Sequence, residues 1–221
     1  KVFHNISFDM YKGEVLGLTG LIGCGATEIA KSLFAVCPID SGEIIVNGKK
    51  INPFSPCKAV ENGIAYISED RKTEGLNLIG SVQDNICMTM IKQWAKLGFL
   101  DRKKEKEKAQ EMVKRLDIRI AGPDQPAGTL SGGNQQKIIL AKWLLKGAEI
   151  FVMCEPTRGI DIGAKREIHR MIRQLAESGC TVLVVSSEVE EVIEVCDRVI
   201  ILYNGQMKGE LGAEDFAKKK V

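Results

Sequence analysis

An apolar segment, Glu14–Leu18, runs straight into Gly20-Leu21-Ile22-Gly23-Cys24-Gly25-Ala26-Thr27 and then into a helical pattern from about Thr27 to Val36. Strand, glycine loop and helix in that order form the joint that an α/β protein uses to hold phosphate. Loop amides and the positive end of the helix dipole converge on one point, so an anion is welcome there. The spacing G-x-x-x-x-G-K-[ST] is met at Gly20, Gly25 and Thr27, but Ala26 stands where the lysine belongs. Taken alone, the stretch fits an ordinary strand-to-helix turn equally well.

A second glycine turn lies far downstream. Leu130-Ser131-Gly132-Gly133-Asn134-Gln135-Gln136-Lys137 opens directly into the apolar run Ile138-Ile139-Leu140-Ala141. Ser131 fits an N-cap, and Gly132 and Gly133 leave their backbone amides open to a ligand. A capped glycine turn with no ligand is the alternative that these residues alone leave open. Between the two turns, strands are expected around Ile44–Val46 and Ile64–Ile67, with a short helix near Pro56–Glu61. Residues 77–130 have a different texture, with Ile and Met in Ser81–Lys96, charges from Arg102 to Leu116 and a Gly/Pro loop at Gly122–Gly128. Ile86, Met88, Met90 and Ile91 in this span are expected mainly as internal core. Further on come the strand Glu149–Met153, a helix from about Gly163 to Ser178, the strand Thr181–Val185 and a hairpin of Asp197–Leu202 with Gln206–Leu211. At the other end, Val2–Phe8 carries a strand signal that includes His4. Both His4 and His169 are expected as surface or packing residues.

The eight residues Leu130–Lys137 resemble the signature sequence of ATP-binding-cassette (ABC) ATPases. Beside it, Gly20–Thr27 resembles a degenerate Walker A loop, and Glu149–Asp161 resembles Walker B followed by the D-loop. Glu69-Asp70-Arg71-Lys72 is similar to the second nucleotide-binding domain of bacterial importers of ribose, galactose, xylose and related sugars. The resemblance covers almost the whole chain and implies a P-loop α/β core with an inserted helical subdomain and a small antiparallel β-portion formed by the ends. It implies ATP and Mg²⁺ as ligands. Gly20, Leu21, Ile22, Gly23, Cys24, Gly25, Ala26 and Thr27 would hold nucleotide, and Thr27 with Glu69 would hold the metal. Glu155 would be the general base, Ser187 occupies the switch-histidine position and Asp161 belongs to the D-loop. Ser131, Gly132, Gly133 and Gln135 would act on nucleotide held by the other domain of a dimer. Four positions depart from a working ATPase: Ala26 for lysine, Glu69 for glutamine, Cys154 for aspartate and Ser187 for histidine. Without the lysine, no ammonium follows charge onto the β- and γ-phosphates during transfer. A neutral thiol is a poor partner for a hard, oxygen-seeking cation. Binding is expected to survive these changes and fast hydrolysis is not.

The resemblance places the core at residues 1–76 and 131–221 and the helical subdomain, which would face membrane-spanning subunits, at 77–130. It also implies a longer chain with a second ATP-binding domain, permease partners and a peripheral place on the cytoplasmic face of a bacterial plasma membrane. A non-transport regulator that uses ATP as a dimerising ligand is the competing class. The net charge of +2, with 31 basic and 29 acidic residues, gives no basic surface suited to nucleic acid. Seven cysteines without a C-x-x-C pair suit reduced thiols.

Overall fold

The computed structural model describes residues 2–51, 55–95 and 99–217. Its strands are β1 (Val15–Gly20), β2 (Ile44–Val46), β3 (Lys49–Ile51), β4 (Ile64–Ile67), β5 (Ile150–Cys154), β6 (Thr181–Val185), β7 (Arg198–Tyr203) and β8 (Gln206–Gly212). Its helices are α1 (Ala26–Leu33), α2 (Pro56–Glu61), α3 (Val82–Cys87), α4 (Ile91–Trp94), α5 (Arg102–Arg115), α6 (Gly132–Lys146), α7 (Ile162–Glu177), α8 (Val189–Val195) and α9 (Ala213–Ala217). They fall into two compact units, one of residues 1–69, 149–156 and 169–221, the other of residues 70–148 and 157–168.

The first unit is built on a six-stranded sheet in the order β4-β5-β6-β1-β7-β8. Strands β4 to β7 run parallel, and β8 returns antiparallel on β7. All five residues of β6 and the first five of β1 are buried, which is why these strands are unbroken apolar runs rather than alternating ones. The β2–β3 hairpin turns on Asn47 and Gly48, with φ of 49° and 75°, the left-handed pair that a two-residue turn demands. Ser55 caps α2 by accepting from the Lys58 amide, and Pro56 supplies a first residue with its φ already set. The expected strand at Val2–Phe8 does not form. Asn5 adopts a left-handed φ of 55°, which breaks the extended backbone, and His4 N donates to Gly205 O as an isolated link. The antiparallel portion therefore consists of β7–β8 and the separate β2–β3 hairpin, with no strand from residues 2–8.

In the second unit, α3, α5 and α6 pack through Val82, Ile86, Ala109, Met112, Ile138 and Ile139, all buried. The Ile/Met stripe divides. Ile86 and Met90 are buried, whereas Met88 and Ile91 are exposed, because a 3-10 turn over Met88–Met90 rotates the chain between α3 and α4. Lys96, the end of that expected span, lies outside the described residues, as does the charged tail from 218 to 221.

Lys142 on α6 is the costly residue of this unit. It is 6% exposed, its Nζ donates to Gly75 O at 2.9 Å, and it lies 5.2 Å from the Trp143 ring. Burial pushes its ammonium down from 10.5 to about 8. Between those values the unfolded chain binds more protons than the folded one, so stability rises with pH from about 8 to about 10.5 and is flat below. The full rise amounts to about 3 kcal/mol. Lys142→Met should abolish this slope and stabilise the protein at pH 7 by about 1–3 kcal/mol, with the lost bond to Gly75 O subtracting from the gain. Urea unfolding of both proteins from pH 7 to 10.5 measures it. A wild-type-minus-variant difference independent of pH would refute the assignment.

Candidate functional site

The glycine loop lies between β1 and α1 in the first unit. Cys24 N donates to Leu21 O at 2.9 Å, and Cys24 O accepts from Gly205 N at 2.9 Å, so the loop is closed on itself and tied to the β7–β8 turn. Gly25 begins α1 with a φ of 98°, a conformation natural to glycine, and no side chain caps the helix. The amides of the first turn of α1 are left for a ligand. Leu21 and Ile22 stand out from the loop, with Ile22 94% exposed. Ala26 is buried and brings no charge, Thr27 is half-buried, and Glu28 sits in the first turn as expected.

The carboxyl ends of β4, β5 and β6 carry the other candidates of this unit. Cys154 ends β5 fully buried. Burial pushes its thiol up to about 12, a bond from Tyr66 opposes this, and the nearby Glu69 and Glu155 carboxylates push it further up. The sulfur is therefore a neutral thiol at any physiological pH. Glu155 follows with a left-handed φ of 46°. Its Oε1 accepts from the Ser187 amide at 2.8 Å, and its Oε2 lies 3.4 Å from Ser186 Oγ. The Ser186 hydroxyl has one proton and a shorter contact, 2.6 Å to Glu191 Oε2, so the Ser187 amide is the firm hold on Glu155. Ser187 itself is exposed.

Behind this site, Glu191 Oε1 lies 3.0 Å from His169 Nε2, and both side chains are buried. His169 Nδ1 is 3.3 Å from Glu194 Oε2, at ion-pair distance but without hydrogen-bond alignment. His169 is thus more than packing, since it is the partner of a buried carboxylate. His4 is exposed, with Nε2 3.1 Å from Gln206 Nε2.

Magnesium takes hard oxygen ligands in octahedral geometry. Thr27 and Glu69 offer oxygen, Cys154 does not, and no group of three or more His, Cys, Asp or Glu among the described residues is disposed to hold a metal. A magnesium site made by protein side chains alone does not fit the described residues.

The signature turn belongs to the second unit. Ser131 caps α6, its Oγ accepting from the Asn134 amide at 3.5 Å and from Asn134 Nδ2 at 3.0 Å. Gly133 is packed against α7, where an added Cβ would lie 2.5 Å from that of Ala164. Gln135 is buried. Its Nε2 donates to Ala127 O and Leu130 O, and its Oε1 accepts from Arg71 Nε at 3.3 Å. Its side chain serves the unit's interior, Ser131 is exposed, and Gly132 is half-buried against Arg71. Asp161 Oδ1 accepts from the Ala164 amide at 3.0 Å and so caps the start of α7. Arg71 was not singled out by the sequence. Its partners lie 64 to 88 residues away, beyond the reach of any local pattern.

The ABC transporter family model matches residues 3–158. Ribose import ATP-binding protein RbsA of Bacillus licheniformis is 41% identical over 220 residues, all of this chain but 45% of that protein. A putative ribose/galactose/methyl galactoside import ATP-binding protein of Burkholderia lata is 43% identical over 222 residues, covering 43% of its length. The chain therefore spans less than half the length of these curated relatives. Among solved structures, a nucleotide-free ATP-binding cassette from an ABC transporter superposes with a TM-score of 0.82 at 20% identity, over 99% of this chain and 88% of that one. A dimeric cassette in a post-hydrolysis state bound to ADP and Pi gives 0.80 at 19% identity, over 96% and 90%. Those two likenesses speak for the shared P-loop α/β fold, and the family match with the two sequence relatives speaks for descent. The chain belongs to the ABC transporter family, as one of its ATP-binding domains.

Proposed function

We propose that this chain is the second ATP-binding domain of a longer bacterial protein that drives import of a monosaccharide of the ribose or galactose class. In this reading its own site binds ATP with little turnover, and its signature turn completes the site of the first domain. One contrast carries the proposal. The signature turn keeps a capped Ser131 and two close-packed glycines, while the phosphate-chemistry positions Ala26, Cys154 and Ser187 hold a methyl, a neutral thiol and an exposed hydroxyl. The chain retains what positions a nucleotide and lacks what manages charge and protons during transfer.

The residues divide the work accordingly. Amides of Leu21 to Thr27 other than that of Cys24, which is bonded to Leu21 O, and the open end of α1 bind phosphate, and Thr27 adds a hydroxyl. Glu155, fixed by the Ser187 amide, is aligned as a base but has no imidazole beside it. Mg²⁺ would enter on the phosphate oxygens, with Thr27 and Glu69 as its protein contacts. Residues 77–130 would form the subdomain that meets the permease subunits, residues 1–76 and 131–221 the core, and the whole would sit peripherally on the cytoplasmic face of the plasma membrane. No helix among the described residues is long and apolar enough to cross a membrane. The relatives' names point to ribose and galactose import, and co-purification with membrane-spanning subunits tests the transport assignment against a regulatory role.

Nucleotide binding is the direct test of the retained half of the site. Titration calorimetry with ATP and Mg²⁺ should give saturable binding with a Kd between about 10 µM and 1 mM, because backbone donors and the helix end survive. No saturable heat at several millimolar ATP would sink the proposal that this domain holds nucleotide.

A further inference from the structure

We propose that Arg71 is a positioning residue for ATP hydrolysis at the first domain's site. It locks the signature turn Ser131–Gly133 to the turn carrying Asp161, so that both are presented as one rigid piece. The inference rests on the reading that the signature acts on nucleotide held by the other domain.

Arg71 opens a π-helical turn, Arg71–Gly75, whose start is fixed by Asp70 Oδ1 accepting from the Lys72 and Thr73 amides. Three of its five N–H groups are engaged in three directions. Nη1 donates to Arg158 O at 2.6 Å, Nη2 donates to Gly159 O at 3.1 Å, and Nε donates to Gln135 Oε1 at 3.3 Å. Two of these acceptors are consecutive carbonyls of the turn leading to Asp161, and the third is on the first turns of α6. A planar guanidinium matches such a fork, and a charged donor makes the stronger class of hydrogen bond. The fit is close on the signature side too, since a Cβ on Gly132 would lie 2.7 Å from Nη2 and 3.2 Å from Gly159 O. The far end of the π-helical turn is tied to α6 by Lys142 Nζ on Gly75 O at 2.9 Å. Ser131 and Asp161 each cap the helix they precede, so displacing either turn also disturbs a helix start. A lysine at position 71 reaches one carbonyl but not two with the amide as well.

The test uses the full two-domain protein with Arg71→Gln, Arg71→Lys and Ser131→Ala, read by steady-state ATP hydrolysis and by amide hydrogen exchange. In Arg71→Gln, exchange over residues 131–134 and 159–164 should rise at least about tenfold while the sheet of the first unit is unchanged. Its kcat should fall at least about tenfold with KM for ATP within about twofold, because the first domain's own glycine loop is untouched. Arg71→Lys should fall between Arg71→Gln and wild type. Adding Arg71→Gln to Ser131→Ala should lower kcat by less than about twofold more, since the two act through one turn. Unchanged exchange, unchanged kcat, or a full multiplicative loss in the double variant overturns the proposal. If Ser131→Ala lowers kcat and Arg71→Gln does not, the trans reading stands and the role of Arg71 falls. If Ser131→Ala leaves kcat intact, the trans reading itself falls, and the role of Arg71 with it.

Discussion

Ser131→Arg is expected to cost the proposed two-domain protein at least about nine-tenths of its ATPase activity, although Ser131 lies in the domain with the altered glycine loop. In the proposed arrangement Ser131 and Gly132 meet a γ-phosphate that this domain does not bind. Arginine there replaces a small hydroxyl that caps α6 at 3.0–3.5 Å from Asn134, and its bulk and charge stand at the exposed position of the turn where the proposed contact with nucleotide is made. The first effect loosens the helix start by about 1 kcal/mol, too little to unfold a domain. The second obstructs closure on the nucleotide, and that dominates. Thr27→Ala removes one hydroxyl from the slow site and should lower the rate by no more than about twofold. Rates of both variants beside wild type, with thermal unfolding as a control, decide the matter. Equal damage from both would mean that this domain turns over ATP itself.

The chain by itself should release phosphate from ATP at well under about one turnover per second, a rate that competent phosphoryl-transfer enzymes exceed. Three separate losses act in the same direction. Ala26 leaves the β- and γ-phosphates without an ammonium, a charge-assisted contact worth about 1.5–3 kcal/mol in a ground state and more where charge develops. Cys154, its thiol raised to about 12, offers no anion to order a metal's water shell. Ser187 gives its amide to Glu155 but has no imidazole to follow the γ-phosphate. Cys154→Asp is no simple repair, because it adds a buried carboxylate beside Glu69 and Glu155, two negative charges against the one cation of Lys31. A phosphate-release assay on the purified chain measures the rate. More than about one turnover per second would show that the missing groups have been replaced by others.

Elements whose ends are marked by local chemistry are legible in the sequence. Pro56–Glu61, Ile64–Ile67 and Thr181–Val185 begin and end where a cap, a turn or a change of polarity places them. Val2–Phe8 carries a strand signal in its apolar residues, but Asn5 takes a left-handed φ that ends the extended backbone. The Met88 and Ile91 stripe misled because periodicity assumes one unbroken helix, and a 3-10 turn interrupts this one. Of the site, the glycine loop, the Ser131 cap and the Asp161 cap follow from neighbours within three residues. The Arg71 fork, the buried Gln135 amide and the Glu191–His169 pair depend on residues 22 to 88 positions apart, or on carbonyls with no side-chain signature.

The glycine loop is gripped from behind by Gly205, whose amide meets Cys24 O at 2.9 Å, and β1 itself is paired on one side with β6 and on the other with β7. Synthesis reaches the glycine loop well before the strands and the turn that support it. Until β6 has emerged, β1 has open edges on both sides, and until Gly205 has emerged the loop lacks this tie. Almost the full length of the chain must be closed into contact before the earliest functional segment takes shape, which makes for slow, non-local assembly. A nascent chain halted between the loop and β7 would carry every residue of the loop without the strand and the Gly205 amide that hold it.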